Sequence, residues 1–230
     1  MNSAEDKKLR SKFVAYILPM GVFLALLALG SVVKNSNGGF WLSAPEYWVF
    51  PVQTFVCGGA VWWFRGQYEF QAARRLMFSM VIATIVFLLW ISPQAFLHFG
   101  QRVEGFNPAV FAVGSPAYWA TVILRFARLV LIVPLVEEIF WRGFLLRYLI
   151  RENFWEVPFG SFSWLSFVVV TLAFAFGHAM TDWPAALITG GLYNLVAYRT
   201  KSLLSCALTH AITNLLLGLW IMQTRQWGFW

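Results

Sequence analysis

Two adjacent glutamates, Glu137 and Glu138, end an apolar run, and Arg142 follows one helical turn later. Two histidines, His178 and His210, lie in later apolar stretches. Ionisable side chains are costly at membrane depth, so their presence there is by itself a hypothesis of function. A carboxylate can take a proton from water, and an imidazole can polarise or protonate a reacting group. Together these residues indicate an active site more than a packing motif.

The two glutamates are expected to have different roles. Adjacent residues of a helix point about 100° apart. Glu138 and Arg142 stand at the i,i+4 spacing, which predicts an ion pair on one face. Glu137 then has no local partner and becomes the candidate general base toward water. The alternative is an interhelical ion-pair cluster that only fixes packing, for which an unpaired Glu137 would be a poor choice.

The histidines occur in two short motifs. His178 ends the run that begins at Phe174, and the neighbouring Gly177 permits close approach of backbone or substrate. His210 and Asn214 are four residues apart, so both are predicted to project from one helix face. They could donate hydrogen bonds to one point or bind one ion. Two other interpretations stay open: an interfacial role for His178, and interhelical hydrogen bonding for the other pair.

Combined, the motifs indicate hydrolysis by acyl transfer to water. A glutamate base, a polarising histidine and a His/Asn pair for an oxyanion are the components that such a site requires. A divalent metal such as zinc could replace part of this work. Its candidate ligands are Glu137, His178 and His210. The H-E-x-x-H signature of zinc peptidases is absent, so separate helices would have to supply these ligands.

The composition is that of a membrane protein. Of the 230 residues, 60% are hydrophobic and 12% are charged, whereas soluble domains have about 25% charged residues. The 13 Trp and 23 Phe residues suit lipid-facing surfaces and interfacial belts. The sequence therefore predicts an all-α, polytopic transmembrane helical bundle that forms one membrane domain over 1–230.

Seven apolar stretches are candidate spans, and eight spans are also compatible with the pattern. The fourth stretch, 119–148, is too long for one straight span, so we expect either an amphipathic lead followed by a helix or a span that continues beyond the bilayer. The sixth contains Gly190 and Gly191, which predicts a kink or tight packing. The motif-bearing helices occupy 119–222. The seven stretches are 13–33, 47–64, 76–97, 119–148, 161–180, 184–198 and 203–222.

The net charge of +7 is interpreted as membrane topology, not as nucleic-acid binding. Most basic residues between the apolar runs fall on one side when seven spans are threaded. The positive-inside rule then predicts a basic cytoplasmic N-terminus over 1–12, with Arg147 and Arg151 also at the cytoplasmic face. Cys57 and Cys206 lie in apolar runs without metal-type spacing, and we expect small buried side chains there.

The three motifs, Glu137-Glu138-xxx-Arg142, Phe174-xxx-His178 and His210-xxx-Asn214, resemble those of the CPBP family. This family comprises the type II CaaX prenyl endopeptidases and their bacterial, abortive-infection-like relatives. The order and the separations of the motifs are similar, and the resemblance spans roughly the C-terminal half. The Trp-rich N-terminal half has a less specific resemblance to a bacterial CAAX-protease-related branch associated with exosortase sorting systems.

The resemblance implies an all-helical intramembrane endopeptidase, and we expect it in the bacterial inner membrane. Glu137 matches the catalytic glutamate, which activates water together with His178. His210 and Asn214 match residues that line the site and steady the oxyanion. Glu138 and Arg142 match the supporting pair. The expected partner is a membrane-embedded or lipid-modified peptide, and the unmatched N-terminal half puts prenylated CaaX substrates in doubt.

Two other classes of function remain open. A non-catalytic membrane scaffold or maturation factor of the same fold would use the motif residues for structure or binding. A proton-coupled transporter would use Glu137 and the histidines as a relay. The absence of a visible internal repeat weakens the transporter interpretation.

Overall fold

The computed structural model describes residues 3–230, with side chains from residue 11 onward. The chain is all-helical, and no β-strand occurs in this described range, so the predicted all-α class is confirmed. Side chains of the predicted basic segment 1–12 lie almost entirely outside the described residues. The eight helices are α1 (Ser3–Val33), α2 (Phe40–Ser43), α3 (Glu46–Trp63), α4 (Leu76–Ala95), α5 (Pro116–Tyr148), α6 (Trp164–Phe176), α7 (Trp183–Thr200) and α8 (Leu203–Thr224).

Each of the seven predicted apolar stretches corresponds to one helix. Among the described residues, four helices are long and apolar enough to cross a membrane: α1 from Ser11, α4, α5 and α8. This makes the chain an integral membrane protein. Helix α6 is shorter than the predicted stretch 161–180, because it ends at Gly177 and the chain turns at His178. The span count of seven or eight, the orientation and the kind of membrane stay predictions.

Local sequence signals set the ends of the motif-bearing helices. Ser115 begins α5, since its hydroxyl accepts a hydrogen bond from the amide of Tyr118 and Pro116 occupies the first turn. Ser163 caps α6 in the same way. Helix α7 ends at Lys201, whose left-handed backbone has a φ of 50°. These caps fix where each motif lies along its helix.

Helix α5 is continuous over 33 residues, and its first part, Pro116–Ala127, is amphipathic. Two π-helical turns interrupt it, Arg128–Ile132 and Ile139–Leu145. At about 1.5 Å per residue the helix is roughly 50 Å long, which exceeds the ~30 Å hydrocarbon core. The second π turn begins directly after Glu138, and such turns are frequent at functional sites.

The chain forms two compact units. The first contains residues 1–67, 101–136 and 218–230, and the second contains 68–100 and 137–217. In the first unit α1 packs along α3, and in the second α6 and α4 pack against α7. The prediction of one membrane domain over 1–230 stays a prediction. All six candidate site residues belong to the second unit.

Candidate active site

The site residues come from two helices, α5 and α8, and from the turn that follows α6, all in the second unit. Glu137 and Glu138 lie in the second half of α5, and His178 follows the end of α6. His210 and Asn214 lie one turn apart on α8. The segment 68–75 holds the start of α8, because the Gln71 side chain accepts a hydrogen bond from the Leu203 amide at 3.1 Å. This bond fixes the position of α8 along its axis, and with it the positions of His210 and Asn214.

Glu138 is the central residue of the cluster. Its carboxylate is fully buried, and its Oε1 accepts from Nη1 of Arg142 and lies near Nδ1 of His210, each at 3.0 Å. The ion pair expected from the i,i+4 spacing is therefore present. The second oxygen, Oε2, is buried without a hydrogen-bond partner among the described residues. A buried acceptor without a partner is costly, so this oxygen is a place where water or substrate would be stabilised.

Arg142 is fully buried, and its other two guanidinium nitrogens also donate hydrogen bonds. Nε donates to Oδ1 of Asn194 at 3.1 Å, and Nη2 donates to the Gly190 carbonyl at 3.3 Å. The guanidinium also lies over the rings of Phe174 and Tyr193, with its Cζ 5.1 and 5.4 Å from the centroids. These contacts compensate a buried charge and tie α5 to α7.

His210 is buried on α8 and is oriented from two sides. Its Nδ1 donates to the Glu138 carboxylate, since an ionised carboxylate can only accept. This bond leaves Nε2 of the ring for other partners. The Tyr193 ring lies 5.1 Å from the imidazole, and the Tyr193 hydroxyl is hydrogen-bonded to the Thr213 side chain. Glu138 therefore sets the tautomer and direction of His210.

His178 is half-buried and is fixed by its own helix end. Its Nδ1 lies 2.8 Å from the Phe174 carbonyl oxygen, which can only accept, so Nδ1 carries the proton. Nε2 is then the nitrogen available to accept a proton or to polarise a ligand. The ring packs between Phe174 at 4.8 Å and Trp90 at 5.4 Å. Trp90 is itself held by a hydrogen bond to Thr189.

Glu137 differs from Glu138 in burial and in hydrogen bonding. It is half-buried, and it makes no hydrogen bond or ion pair with the part of the chain that the structure describes. It follows directly on Val136 and precedes Glu138 in α5, so its side chain leaves the helix about 100° away from that of Glu138. The residue spacing predicts that Glu137 has no local partner, and the described chain supplies none; its role toward water stays a prediction.

The two histidines are connected through aromatic rings. The centroid of Phe174 lies 4.8 Å from that of His178 and 6.2 Å from that of Tyr193, and the Tyr193 ring contacts His210. Neither histidine is hydrogen-bonded to Glu137. Asn214 is buried one turn beyond His210. The motifs thus meet around a shared aromatic centre without direct contact between the candidate base and the imidazoles.

The candidate metal ligands are not grouped. Over the described residues, no three His, Cys, Asp or Glu side chains are arranged so that they could hold a metal ion. Glu137, His178 and His210 therefore do not fit a zinc site in this arrangement, and no step below passes through a metal.

Sequence reasoning missed Asn194, Tyr193, Trp90 and the Gly190 carbonyl. Asn194 is fully buried, and its amide also donates to Thr171 at 3.1 Å, which fixes the oxygen toward Arg142. An asparagine within an apolar helix is a polar group that needs a partner, so this signal was available. Trp90 and the Gly190 carbonyl carry no such signal, because neither residue type is unusual in a membrane helix.

Residues 118–216 match the model of the Rce1-like family, described as type II CAAX prenyl endopeptidase Rce1-like. The matched segment contains all six candidate site residues, from Glu137 to Asn214, so the resemblance of the three motifs is confirmed for this part of the chain. Residues 1–117 lie outside the match, and the resemblance to the exosortase-associated branch stays a prediction. Comparison with curated proteins and with solved structures gives no match.

Proposed function

We propose that this chain, whose residues 118–216 match the Rce1-like family, is an intramembrane endopeptidase. The observation that carries the proposal is the contrast between the two glutamates. Glu138 is buried and bonded to Arg142 and His210, whereas Glu137 has no such bond in the described chain. A structural cluster would engage both carboxylates, and a hydrolase needs one of them available to water.

In the proposed reaction, Glu137 takes a proton from a water molecule. The water oxygen then bonds to the carbonyl carbon of a peptide bond, and the carbonyl electrons move to the oxygen. The Nε2 atom of His178 is proposed to accept a hydrogen bond from the same water, which orients the water for attack. Return of the proton to the amine nitrogen breaks the C–N bond and releases an acid and an amine.

The oxyanion formed in this step requires donors that are already in place. Asn214 is proposed for this role through its side-chain amide, and His210 joins it when its ring carries a proton on both nitrogens, because Nδ1 already donates to Glu138 and only Nε2 is left for the oxyanion. Glu138 supports it, since its carboxylate stabilises the Nδ1 proton and any positive charge that develops on His210. Glu138 and Arg142 thus act as positioning residues. The substrate is proposed to be a membrane-embedded or lipid-modified peptide, because the site lies on apolar helices.

The test is Glu137→Gln in the purified full-length protein, reconstituted in vesicles with bacterial membrane proteins. New protein N-termini are counted by mass spectrometry. We expect wild-type protein to generate them and Glu137→Gln to lose at least ~100-fold in rate, the usual contribution of a general base. Glu152→Gln, a change at an exposed glutamate, is the matched control and should cleave normally.

Three results would count against the proposal. Equal cleavage by wild type and Glu137→Gln would remove Glu137 from catalysis. No cleavage by either protein, with cellular function preserved in the variant, would favour a scaffold. Proton-linked uptake into the vesicles that disappears with Glu137→Gln would favour a transporter. A farnesylated CaaX-type peptide and its unmodified form, compared in the same assay, test the lipid preference.

A further inference from the structure

A cavity opens in the first unit, apart from the residues of the candidate active site. It lies where α1 ends and α3 begins, and its volume is about 190 Å³. Pockets that enclose a drug-sized ligand start at ~300 Å³, so this cavity has room for a small polar group but not for a whole lipid or peptide. Its lining residues all belong to the first unit: Leu27, Gly30, Ser31, Lys34, Pro45, Glu46, Val49 and Phe50.

The inner wall of the cavity is apolar and is formed by helix packing. Helix α1 packs along α3, and Gly30 allows the two helices to approach closely. A Cβ at Gly30 would lie 3.4 Å from Cγ2 of Val49, which is itself buried. Pro45, the residue before α3, is buried as well. Since these positions are set by the packing of two helices, the cavity exists before a ligand enters it.

Two side chains of opposite charge line the same cavity. Lys34 follows the last residue of α1 and is exposed, whereas Glu46 is the first residue of α3 and is partly buried. Neither makes an ion pair or a hydrogen bond with any residue that the structure describes. The signs suit the two helix ends, because a cation is favoured at a C-terminus and an anion at an N-terminus. The ammonium donors and the carboxylate acceptors nevertheless stay unused beside an open space.

The cavity lies at the level where lipid headgroups meet water. The candidate span of α1 ends at Val33, directly before Lys34. The short helix α2 lies against the start of α3, since the indole Nε1 of Trp48 donates to the Trp41 carbonyl at 3.0 Å. It exposes three large apolar side chains, Phe40, Trp41 and Leu42. Exposed aromatic residues next to the end of a span are typical of the interfacial belt, so the surroundings of the cavity are headgroups.

We propose that this cavity binds the headgroup of phosphatidylethanolamine. The lipid ammonium pairs with Glu46 and the phosphate pairs with Lys34, while the acyl chains lie outside the cavity along the exposed Leu29 and Val32 of α1. A ligand with a single charge leaves one of the two side chains unmatched, whereas a zwitterion with a primary ammonium satisfies both. The proposal is independent of the peptidase activity, because none of these residues belongs to the second unit.

The experiment uses full-length protein delipidated in a neutral detergent. Thermal unfolding is followed while short-chain phosphatidylethanolamine, phosphatidylglycerol or phosphatidylcholine is added. We expect saturable stabilisation by phosphatidylethanolamine and at least ten-fold weaker binding of the other two. Phosphatidylglycerol lacks the ammonium, and the trimethylated ammonium of phosphatidylcholine cannot donate a hydrogen bond. Native mass spectrometry should show one phosphatidylethanolamine retained per chain.

Two single substitutions separate the two halves of the headgroup. Glu46→Gln should remove the preference for phosphatidylethanolamine over phosphatidylglycerol, because only the ammonium distinguishes these lipids. Lys34→Gln should weaken the binding of both lipids at least five-fold, because both carry the phosphate. The matched control is Glu104→Gln, a change at an exposed glutamate of the same unit, which should keep the wild-type affinity and preference.

Three outcomes overturn the proposal. Equal stabilisation of the wild-type protein by all three lipids would mean that lipid acts only as a general solvent for the helices. A preference for phosphatidylethanolamine that persists in Glu46→Gln would place the lipid elsewhere on the protein. Glycerophosphoethanolamine, which is the same headgroup without acyl chains, should act only at far higher concentration. A response to it at the concentration that suffices for the lipid would assign the cavity to a free zwitterion.

Discussion

Oε1 of Glu138 lies 3.0 Å from Nδ1 of His210, although 72 positions separate the two residues in the sequence. The same oxygen lies 3.0 Å from Nη1 of Arg142. One buried carboxylate oxygen therefore joins the first and third motifs and orients a histidine. This relationship gives Glu138 a positioning role and leaves Glu137 as the candidate base. Substitution of Glu138 should therefore lower both stability and activity, whereas substitution of Glu137 should lower activity alone.

Removing one member of the buried pair should destabilise the protein strongly. Glu138→Gln leaves the Arg142 charge buried and loosens His210, and Arg142→Met leaves the carboxylate uncompensated. We expect each to lower the free energy of unfolding by about 3–5 kcal/mol and to reduce cleavage as well. Thermal and denaturant unfolding in detergent, together with the cleavage assay, measure both effects.

The control for this pair is Glu156→Gln. Glu156 pairs with Arg151 at 2.9 Å, but the two side chains are 44% and 65% exposed. A surface pair of this kind contributes about 0–1 kcal/mol, so the control should unfold almost as wild type does. Buried-pair variants that unfold like this control would show that Glu138 and Arg142 have been assigned the wrong role.

His178→Asn should abolish activity while the fold persists. The change removes the Nε2 atom that the Phe174 carbonyl bond leaves available, at a half-buried position. We expect cleavage to fall by about 100-fold or more with little change in unfolding temperature. His98→Asn is the matched control, since His98 is exposed and has a φ of 56°, which asparagine tolerates. Equal activity of both variants would contradict a catalytic role of His178.

Gly190→Ala should destabilise the packing of α6 on α7. A Cβ at Gly190 would lie 3.2 Å from the Thr171 carbonyl oxygen and 3.3 Å from its Cα, and backbone atoms cannot move aside as a side chain can. The shift would also disturb the Gly190 carbonyl that accepts from Arg142. We expect a loss of about 1–3 kcal/mol, measured by unfolding in detergent.

The neighbouring Gly191→Ala is the control for this prediction. A Cβ there meets only the Phe167 ring, at an ordinary 3.6 Å. The free energy of unfolding of Gly191→Ala should be within about 0.5 kcal/mol of the wild-type value, as for substitutions that disturb no close contact. If the two alanine variants unfold alike, the close approach at Gly190 does not limit the packing.

Cleavage should survive removal of divalent metals. Because no three suitable side chains are grouped among the described residues, we expect activity to persist after dialysis against EDTA and 1,10-phenanthroline. The same preparation is assayed before and after chelation, with metal content measured in parallel. Loss of activity that stoichiometric zinc restores would mean that Glu137, His178 and His210 come together in the active form.

The sequence by itself determined the helices, the membrane character and the local pair. Hydropathy and caps act over neighbouring residues, so the seven apolar stretches and the i,i+4 contact of Glu138 with Arg142 follow from spacing alone. The order of the three motifs also indicated the family that residues 118–216 match.

Only the tertiary structure decided which distant groups complete the site. The bond from Glu138 to His210, the Asn194 oxygen on Arg142 and the cavity lined by Lys34 and Glu46 depend on how the helices pack against each other. Hydropathy periodicity predicts which face of a helix is buried. It does not predict which other helix covers that face, or the axial position at which the two helices meet. In a membrane, lipid is as apolar as the helix surfaces, so apolar burial does not determine which helices pack together. Buried polar contacts between helices determine it instead.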